Sequence, residues 1–234
     1  MSLNANAVYI WHVNLQNFSL HKDDHWHLLD NDEKAKANRF HFNIHRHRFI
    51  AARGILRCLA GQLLGQPPNA LQFSYTSYGK PILKEYPRLQ FNLSHSHDRA
   101  IYAFTLDMAI GVDIEYQNSQ CDVESIAKRF FTAREFNALQ TLPGPEKIAT
   151  FFKLWVRKEA VLKALGYGLS WPLTKVEFNV EKQPICLSES NRDIKSSEWS
   201  LIALDPVRDF AAALALQAHT GRGQIHQMML DSWP

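Results

Sequence analysis

An α+β fold is predicted for this chain: a pseudo-twofold arrangement of two similar α+β halves, residues 1–109 and 110–234, with the active site in the cleft between them. Two observations predict it. A helical period is followed by strand-like runs, and that block of helix and then strands occurs twice along the sequence. The chain has 234 residues with 46% hydrophobic content, enough apolar surface for one large domain or two small ones.

In the first half, HRHRFIAARGILRCLAGQLLG (45–65) places Phe49, Ala52, Ile55, Leu56, Leu59 and Leu63 on one helical face and stops at Gly65. Three strands are expected next: LQFSY (71–75), LQFNLSH (89–95) and AIYAFTL (100–106), separated by Gly, Pro, Asp and Asn signals. The second half repeats the order, with a helix over 151–166 and strands VEFNV (176–180), WSLIALD (199–205) and FAAALALQ (210–217). TLPGPEK (141–147), dense in Pro and Gly, reads as an exposed loop. Two such halves meeting along their sheets leave a cleft, and inter-domain clefts are common ligand sites.

Composition narrows the function. No run approaches the roughly 18 apolar residues of a membrane span, and the N-terminus lacks a signal-peptide layout, so a cytoplasmic protein is expected. Cys58, Cys121 and Cys186 form no CxxC pair, which argues against both a disulfide framework and a thiolate zinc site. Net charge is only +3, but nine Lys/Arg fall between Lys34 and Lys84 without one acidic residue. That run predicts an anionic ligand or partner, with a solvated basic helix face as the equal alternative. Six of the eleven histidines lie between His21 and His47; without a supporting carboxylate or thiolate pattern they read as solvated side chains.

Three clusters carry candidate chemistry. In IGVDIE (110–115), Asp113 and Glu115 are two apart on an apolar strand and point to one face. A bound cation explains the pair; so does a strand end emerging into solvent. In WVRKEAVLK (155–163), Trp155, Glu159 and Lys163 recur every four residues on one helix face, while Arg157 and Lys158 point elsewhere, into solvent. A Glu and a Lys four apart are equally an ordinary helix-stabilising pair. FNLSHS (91–96) crowds Asn92, Ser94 and His95 at a strand end, and YGKP (78–81) offers Lys80 at a turn. These hydroxyl, imidazole and ammonium donors suit phosphate oxygens. Ser94 is not read as a nucleophile paired with His95, because neighbours on a strand face opposite ways and no GxSxG elbow is present.

Taken in order, SYGKP (77–81), FNLSHS (91–96), IGVDIE (110–115), RFFTAREF (129–136) and WVRKEAVLKALGYGLSWPL (155–173) resemble the larger, two-lobed 4'-phosphopantetheinyl transferases of the surfactin-synthetase-activating type. The resemblance implies transfer of the 4'-phosphopantetheine arm of coenzyme A to a serine of an apo acyl- or peptidyl-carrier protein, with release of 3',5'-ADP. It assigns Asp113, Glu115 and Glu159 to Mg²⁺ (or Mn²⁺), Lys163 to the pyrophosphate, His95 and Ser94 to the nucleotide phosphates, Asn92 to a nearby polar wall and Lys80 to a phosphate clamp. Glu159 is the first choice to take the serine proton, directly or through a metal-bound water.

Aligning on Arg39 and Phe40 selects Lys36 for the 3'-phosphate; where some relatives carry a second lysine, this chain has Glu33, with Lys34 one place away. Arg48 and Arg53 follow as second-tier candidates, Arg53 equally as an anchor of the fold. The resemblance places the carrier protein on residues 117–142, with Glu135 near the active site, although Phe130, Phe131 and Phe136 read first as core. A monomer is expected, without nucleic-acid or membrane partners. The competing readings are a metal-dependent coenzyme A pyrophosphohydrolase and a basic nucleic-acid-binding protein.

Overall fold

The computed structural model describes residues 3–19, 25–168, 171–178, 185–187, 199–204, 207–217 and 224–231. The ends of two expected strands (179–180 and 205) and residues 169–170 lie outside them. Strand β1 (Ala7–Asn14) leads to helices α1 (Asn31–Asn38) and α2 (Asn43–Leu64). A short hairpin of β2 (Phe73–Tyr75) and β3 (Pro81–Leu83) follows, then β4 (Leu89–Ser96), β5 (Arg99–Leu106) and β6 (Ile110–Tyr116). Next come α3 (Val123–Phe130), α4 (Ala133–Gln140) and α5 (Gly144–Leu165). The chain continues through β7 (Val176–Phe178), β8 (Ile185–Leu187), β9 (Trp199–Leu204), β10 (Phe210–Gln217) and β11 (Gln224–Leu230).

These elements stack as helix, sheet, sheet, helix, which is the α+β class expected. Helix α2 covers one face of the sheet ordered β11-β1-β5-β4, burying Ile55, Leu56 and Leu59 against Trp11, Phe91 and Phe104. The other face of that sheet meets the sheet ordered β6-β10-β9, with Val8, Ile10, Ile101, Val112, Ile114 and Leu214 between them. Helix α5 covers the far side, on Ala211, Ala213 and Ala215 of β10. Both long helices end as the sequence indicates, at Gly65 and Gly166 in the left-handed conformation that glycine adopts without a Cβ penalty.

Two strands escape the periodicity argument. β1 is buried on both faces, so its apolar run shows no alternation, and β11 pairs with it in parallel. The last strand therefore joins the sheet built by the first half. Helix α5 also starts earlier than expected: the turn ends at Pro143, and Pro145 sits in the first helical turn, where its missing N–H has no intrahelical partner.

Two buried ion networks fasten helices. Glu33 accepts from Arg53 Nε at 2.6 Å and Arg57 Nε at 2.7 Å, while Arg57 also reaches Asp30 Oδ2 at 2.7 Å and Leu71 O at 2.9 Å. Arg53 is thus an anchor of the fold. Lys158, expected in solvent, is wholly buried: it pairs with Glu135 Oε2 at 2.7 Å and donates to the carbonyls of Leu173 and Val176. Arg157 is also half-buried, which lowers its pKa. Glu135 further caps α4 through Thr132 and accepts from Phe178 N at 2.8 Å. Both Glu135 oxygens are thus engaged in holding α4, α5 and β7 together. Phe131 is core, stacked on Phe151 at 5.2 Å.

At Gly111, β6 lies on the backbone of α5. A Cβ there would run into the Ala160 carbonyl and the Ala164 amide. Backbone cannot rotate aside, so Gly111→Ala is expected to cost about 1–3 kcal/mol or more by overpacking, read as a lower urea midpoint.

Candidate active site

Strands β4 and β6 run side by side at the junction of the two sheets, joined by side chains in place of a backbone ladder. Val112 N donates to Asn92 Oδ1 at 2.9 Å, and Tyr116 N donates to Ser96 Oγ at 3.1 Å. Ser94 Oγ donates to Asp113 Oδ1 at 2.8 Å, and Ser96 Oγ to Glu115 Oε2 at 2.8 Å. Asn92, Ser94 and Ser96, every second residue of β4, therefore meet β6 at Val112, Asp113, Glu115 and Tyr116 in one fixed register. Ser96 was not singled out in the sequence; its signal was the polar 92, 94, 96 alternation on an otherwise apolar strand. Asn92, expected as a polar wall of the ligand site, is buried and spends its carbonyl oxygen on the β6 backbone.

Helix α5 brings Glu159 and Lys163 over this seam. Lys163 Nζ donates to Asp113 Oδ1 at 2.6 Å and to Ser94 Oγ at 2.9 Å. Asp113 Oδ2 and Glu159 Oε1 are buried without a hydrogen-bond partner. Burial, and then the charge of Asp113, push Glu159 up to about 7, with Lys163 opposing and Glu115 adding to the rise. Glu115 is likewise held above the usual carboxylate range, first by burial, although the Ser96 hydroxyl offsets part of that.

Among the described residues, no three His, Cys, Asp or Glu side chains are already gathered closely enough to hold a metal ion. Lys163 occupies one Asp113 oxygen instead. Even so, three carboxylates share one lysine, and two buried oxygens have no partner. A hard divalent cation would satisfy such an oxygen set, so Asp113, Glu115 and Glu159 fit Mg²⁺ or Mn²⁺ chemically.

A recess of about 380 Å³ opens beside the carboxylates, lined by Phe40, His45, Arg48, Phe49, His95, Ser96 and His97. His95 points away from Ser94, as strand alternation requires, and its pKa is lowered by desolvation and by the charges of Lys163 and Arg48. Phe40 also walls a wider, shallower recess of about 630 Å³ that includes Lys36, Arg39 and Tyr75. Lys36 Nζ lies 5.4 Å from the centre of the Phe49 ring, which links the two recesses. Glu33 belongs to the buried ion network. Lys80, expected as a phosphate clamp, donates inward to Ile110 O at 3.1 Å and Ala164 O at 3.2 Å. Cys58 and Cys121 are free thiols.

A pH dependence follows from Glu159. Its folded-state pKa lies above the ordinary 4.5, so the unfolded chain gives up that proton at lower pH than the native one. Stability of the metal-free protein should therefore fall as pH rises from about 4.5 to about 7 and then level off. Glu159→Gln should flatten this fall and leave the metal-free variant more stable at pH 8, by on the order of 3 kcal/mol. Urea denaturation in EDTA across that range measures it.

Residues 11–106 match the family model for the N-terminal region of 4'-phosphopantetheinyl transferases, and residues 109–215 match that of the 4'-phosphopantetheinyl transferase superfamily. The chain is 39% identical to the 4'-phosphopantetheinyl transferase HetI of Nostoc sp., over 92% of this chain and 90% of that one. It is 34% identical to the 4'-phosphopantetheinyl transferase Sfp of Bacillus subtilis, over 62% and 64% of the two chains. It is also 29% identical to the human L-aminoadipate-semialdehyde dehydrogenase-phosphopantetheinyl transferase, over 64% and 52%. With matches that run through both sheets and every strand of the seam, the chain belongs to the 4'-phosphopantetheinyl transferase superfamily.

Proposed function

We propose that this protein transfers the 4'-phosphopantetheine group of coenzyme A to a serine of an apo acyl- or peptidyl-carrier protein, releasing 3',5'-ADP. The observation that carries the reading is the pair of unpartnered buried oxygens, Asp113 Oδ2 and Glu159 Oε1, facing a lysine beside a basic recess of nucleotide size. Asp113, Glu115 and Glu159 would hold Mg²⁺ or Mn²⁺, which when bound supplies positive charge to pyrophosphate oxygens.

The protein's own residues then divide the work. Lys163 presents its ammonium to the pyrophosphate, and Ser94 holds that ammonium in place. His95 and Arg48 face the nucleotide phosphates from the recess, and Lys36 with Arg39 meets the 3'-phosphate in the neighbouring one. The serine oxygen forms a bond to the β-phosphorus of coenzyme A as the bond from that phosphorus to the oxygen of 3',5'-ADP breaks. The serine proton passes to Glu159, a carboxylate that α5 carries to the seam. The nucleophile comes from the partner, so the enzyme's contribution is positioning and neutralisation of charge.

The carrier docks on residues 117–142 in this reading, a stretch containing α3 and α4 and fastened to the catalytic helix by Glu135 and Lys158. Residues 1–109 and 110–234 form two halves related by a pseudo-twofold axis, supported by the recurrence of helix, short hairpin and two long strands in each. The protein acts as a cytoplasmic monomer, without nucleic-acid or membrane partners. Among the described residues, no helix is long and apolar enough to cross a membrane.

Mass spectrometry of an apo carrier protein incubated with this protein, coenzyme A and Mg²⁺ tests the reading. A gain in carrier mass equal to phosphopantetheine, abolished by EDTA, is expected. Free phosphopantetheine formed without carrier would instead show hydrolysis and overturn it. Asp113→Ala and Lys163→Met should each lower kcat/KM by about 100-fold or more, because each removes charge aimed at the reacting phosphate. His95→Ala should act chiefly by raising the KM for coenzyme A, by about tenfold.

A further inference from the structure

Lys80 closes a tight turn between β2 and β3, where Lys80 N donates to Thr76 Oγ1 at 3.1 Å and Gly79 takes a positive φ of 83°. Its side chain does not stay with the hairpin. The aliphatic stem runs past Gly166, where a Cβ would lie 3.7 Å from Lys80 Cδ, and Nζ ends between the Ile110 carbonyl at 3.1 Å and the Ala164 carbonyl at 3.2 Å. Ala164 is in the last turn of α5, whose carbonyls have no intrahelical donor and attract a cation. Ile110 is the first residue of β6. One ammonium thus ties the start of the strand bearing Asp113 and Glu115 to the end of the helix bearing Glu159 and Lys163. Burial lowers the Lys80 pKa to about 8. Gly111, where β6 touches the α5 backbone, is the residue next to Ile110, so the tie and the contact act at one place.

We propose that Lys80 is a positioning residue: by bonding Ile110 O and Ala164 O it fixes the register of β6 against α5, and with it the spacing of Asp113 and Glu115 from Glu159 and Lys163. This rests on the transferase reading and differs from a phosphate clamp in a measurable way. A clamp holds the nucleotide, so its loss weakens ground-state binding. A register tie leaves the recess around Arg48 and His95 intact and alters only the alignment of the reacting groups, and small misalignments there are costly to turnover.

The test compares wild type, Lys80→Met and Lys80→Ala, with 3',5'-ADP affinity measured by calorimetry and kcat and KM measured with an apo carrier protein. The proposal expects kcat to fall by about 10- to 100-fold, with 3',5'-ADP affinity and the KM for coenzyme A within about threefold of wild type. It also expects n-propylammonium, which replaces the missing end of the side chain, to restore kcat of Lys80→Ala at least about fivefold and leave wild type unchanged. If Lys80→Met and Lys80→Ala do not fold, Lys80→Gln, which keeps an N–H₂ donor, carries the same comparison. A loss of more than about tenfold in 3',5'-ADP affinity at unchanged kcat would overturn the proposal in favour of a clamp, and unchanged kcat and affinity together would overturn it outright. Inactive wild type would count against the transferase reading itself, whereas active wild type beside unaltered variants counts only against the role of Lys80.

Discussion

With no side chain on Gly111, β6 lies against the Ala160 carbonyl and the Ala164 amide of α5, and that contact fixes how far the β6 carboxylates stand from Glu159 and Lys163. Alanines at 211, 213 and 215 extend the same flat floor beneath the helix on β10. The opposite, larger side chains of β6, Val112 and Ile114, pack into the apolar layer between the sheets. One strand therefore has two incompatible environments, an apolar face that drives the sheets together and a small or charged face that admits a helix. Neither face could be exchanged for the other by a one-residue slip without burying carboxylates among aliphatic side chains.

Register across the second boundary, between β4 and β6, is set by polar side chains. Asn92 and Ser96 take the place of backbone acceptors for Val112 N and Tyr116 N, so the sheets meet without leaving those amides unpaired. Because Ser94 and Ser96 also donate to Asp113 and Glu115, the groups that align the strands are the groups that orient the carboxylates. Carboxylates elsewhere in the molecule show what a purely structural acid looks like. Glu33 and Glu135 are as buried as Asp113, yet both oxygens of each accept hydrogen bonds or ion pairs. Asp113 Oδ2 and Glu159 Oε1 are left over. In the proposed function these two oxygens are the ones that a bound cation would satisfy.

Much of this was legible in the sequence, and the failures have physical causes. Both long helices carry a helical period and end at a glycine, strands β4, β5, β6 and β10 are set off by turn signals, and the i, i+2 pair at Asp113 and Glu115 correctly implied a shared face. β1 was missed because a strand buried on both sides has no alternation to read. The turn at 141–147 was read too long because proline is as acceptable in a first helical turn as in a loop. Lys158 and Glu135, far apart in sequence, are ordinary surface residue types whose pairing depends on the tertiary packing of α4 on α5. Lys80 was assigned to a phosphate by the resemblance of its motif; nothing in YGKP shows that the side chain turns inward to two carbonyls. Long-range polar pairing is what a single sequence hides best.

Part of the basic bias of the first half is spent within the fold. Of the cations between Lys34 and Lys84, Arg53 and Arg57 neutralise Glu33 and Asp30 inside the fold, and Lys80 ties β6 to α5. Lys36, Arg39 and Arg48 are the ones left beside the recesses. The charge run thus overstates the anion-binding surface, because part of it serves to hold the α1 and α2 framework from which the remaining cations project. That framework lines a recess together with His95, whose pKa is lowered by burial and then by the charges of Lys163 and Arg48. An extended, multiply charged anion lying across the seam would meet cations from α1, α2 and α5 along its length, whereas a single phosphate would engage only one recess. The distribution of charge accordingly matches a substrate with separated phosphate groups, as the coenzyme A of the proposed reaction has.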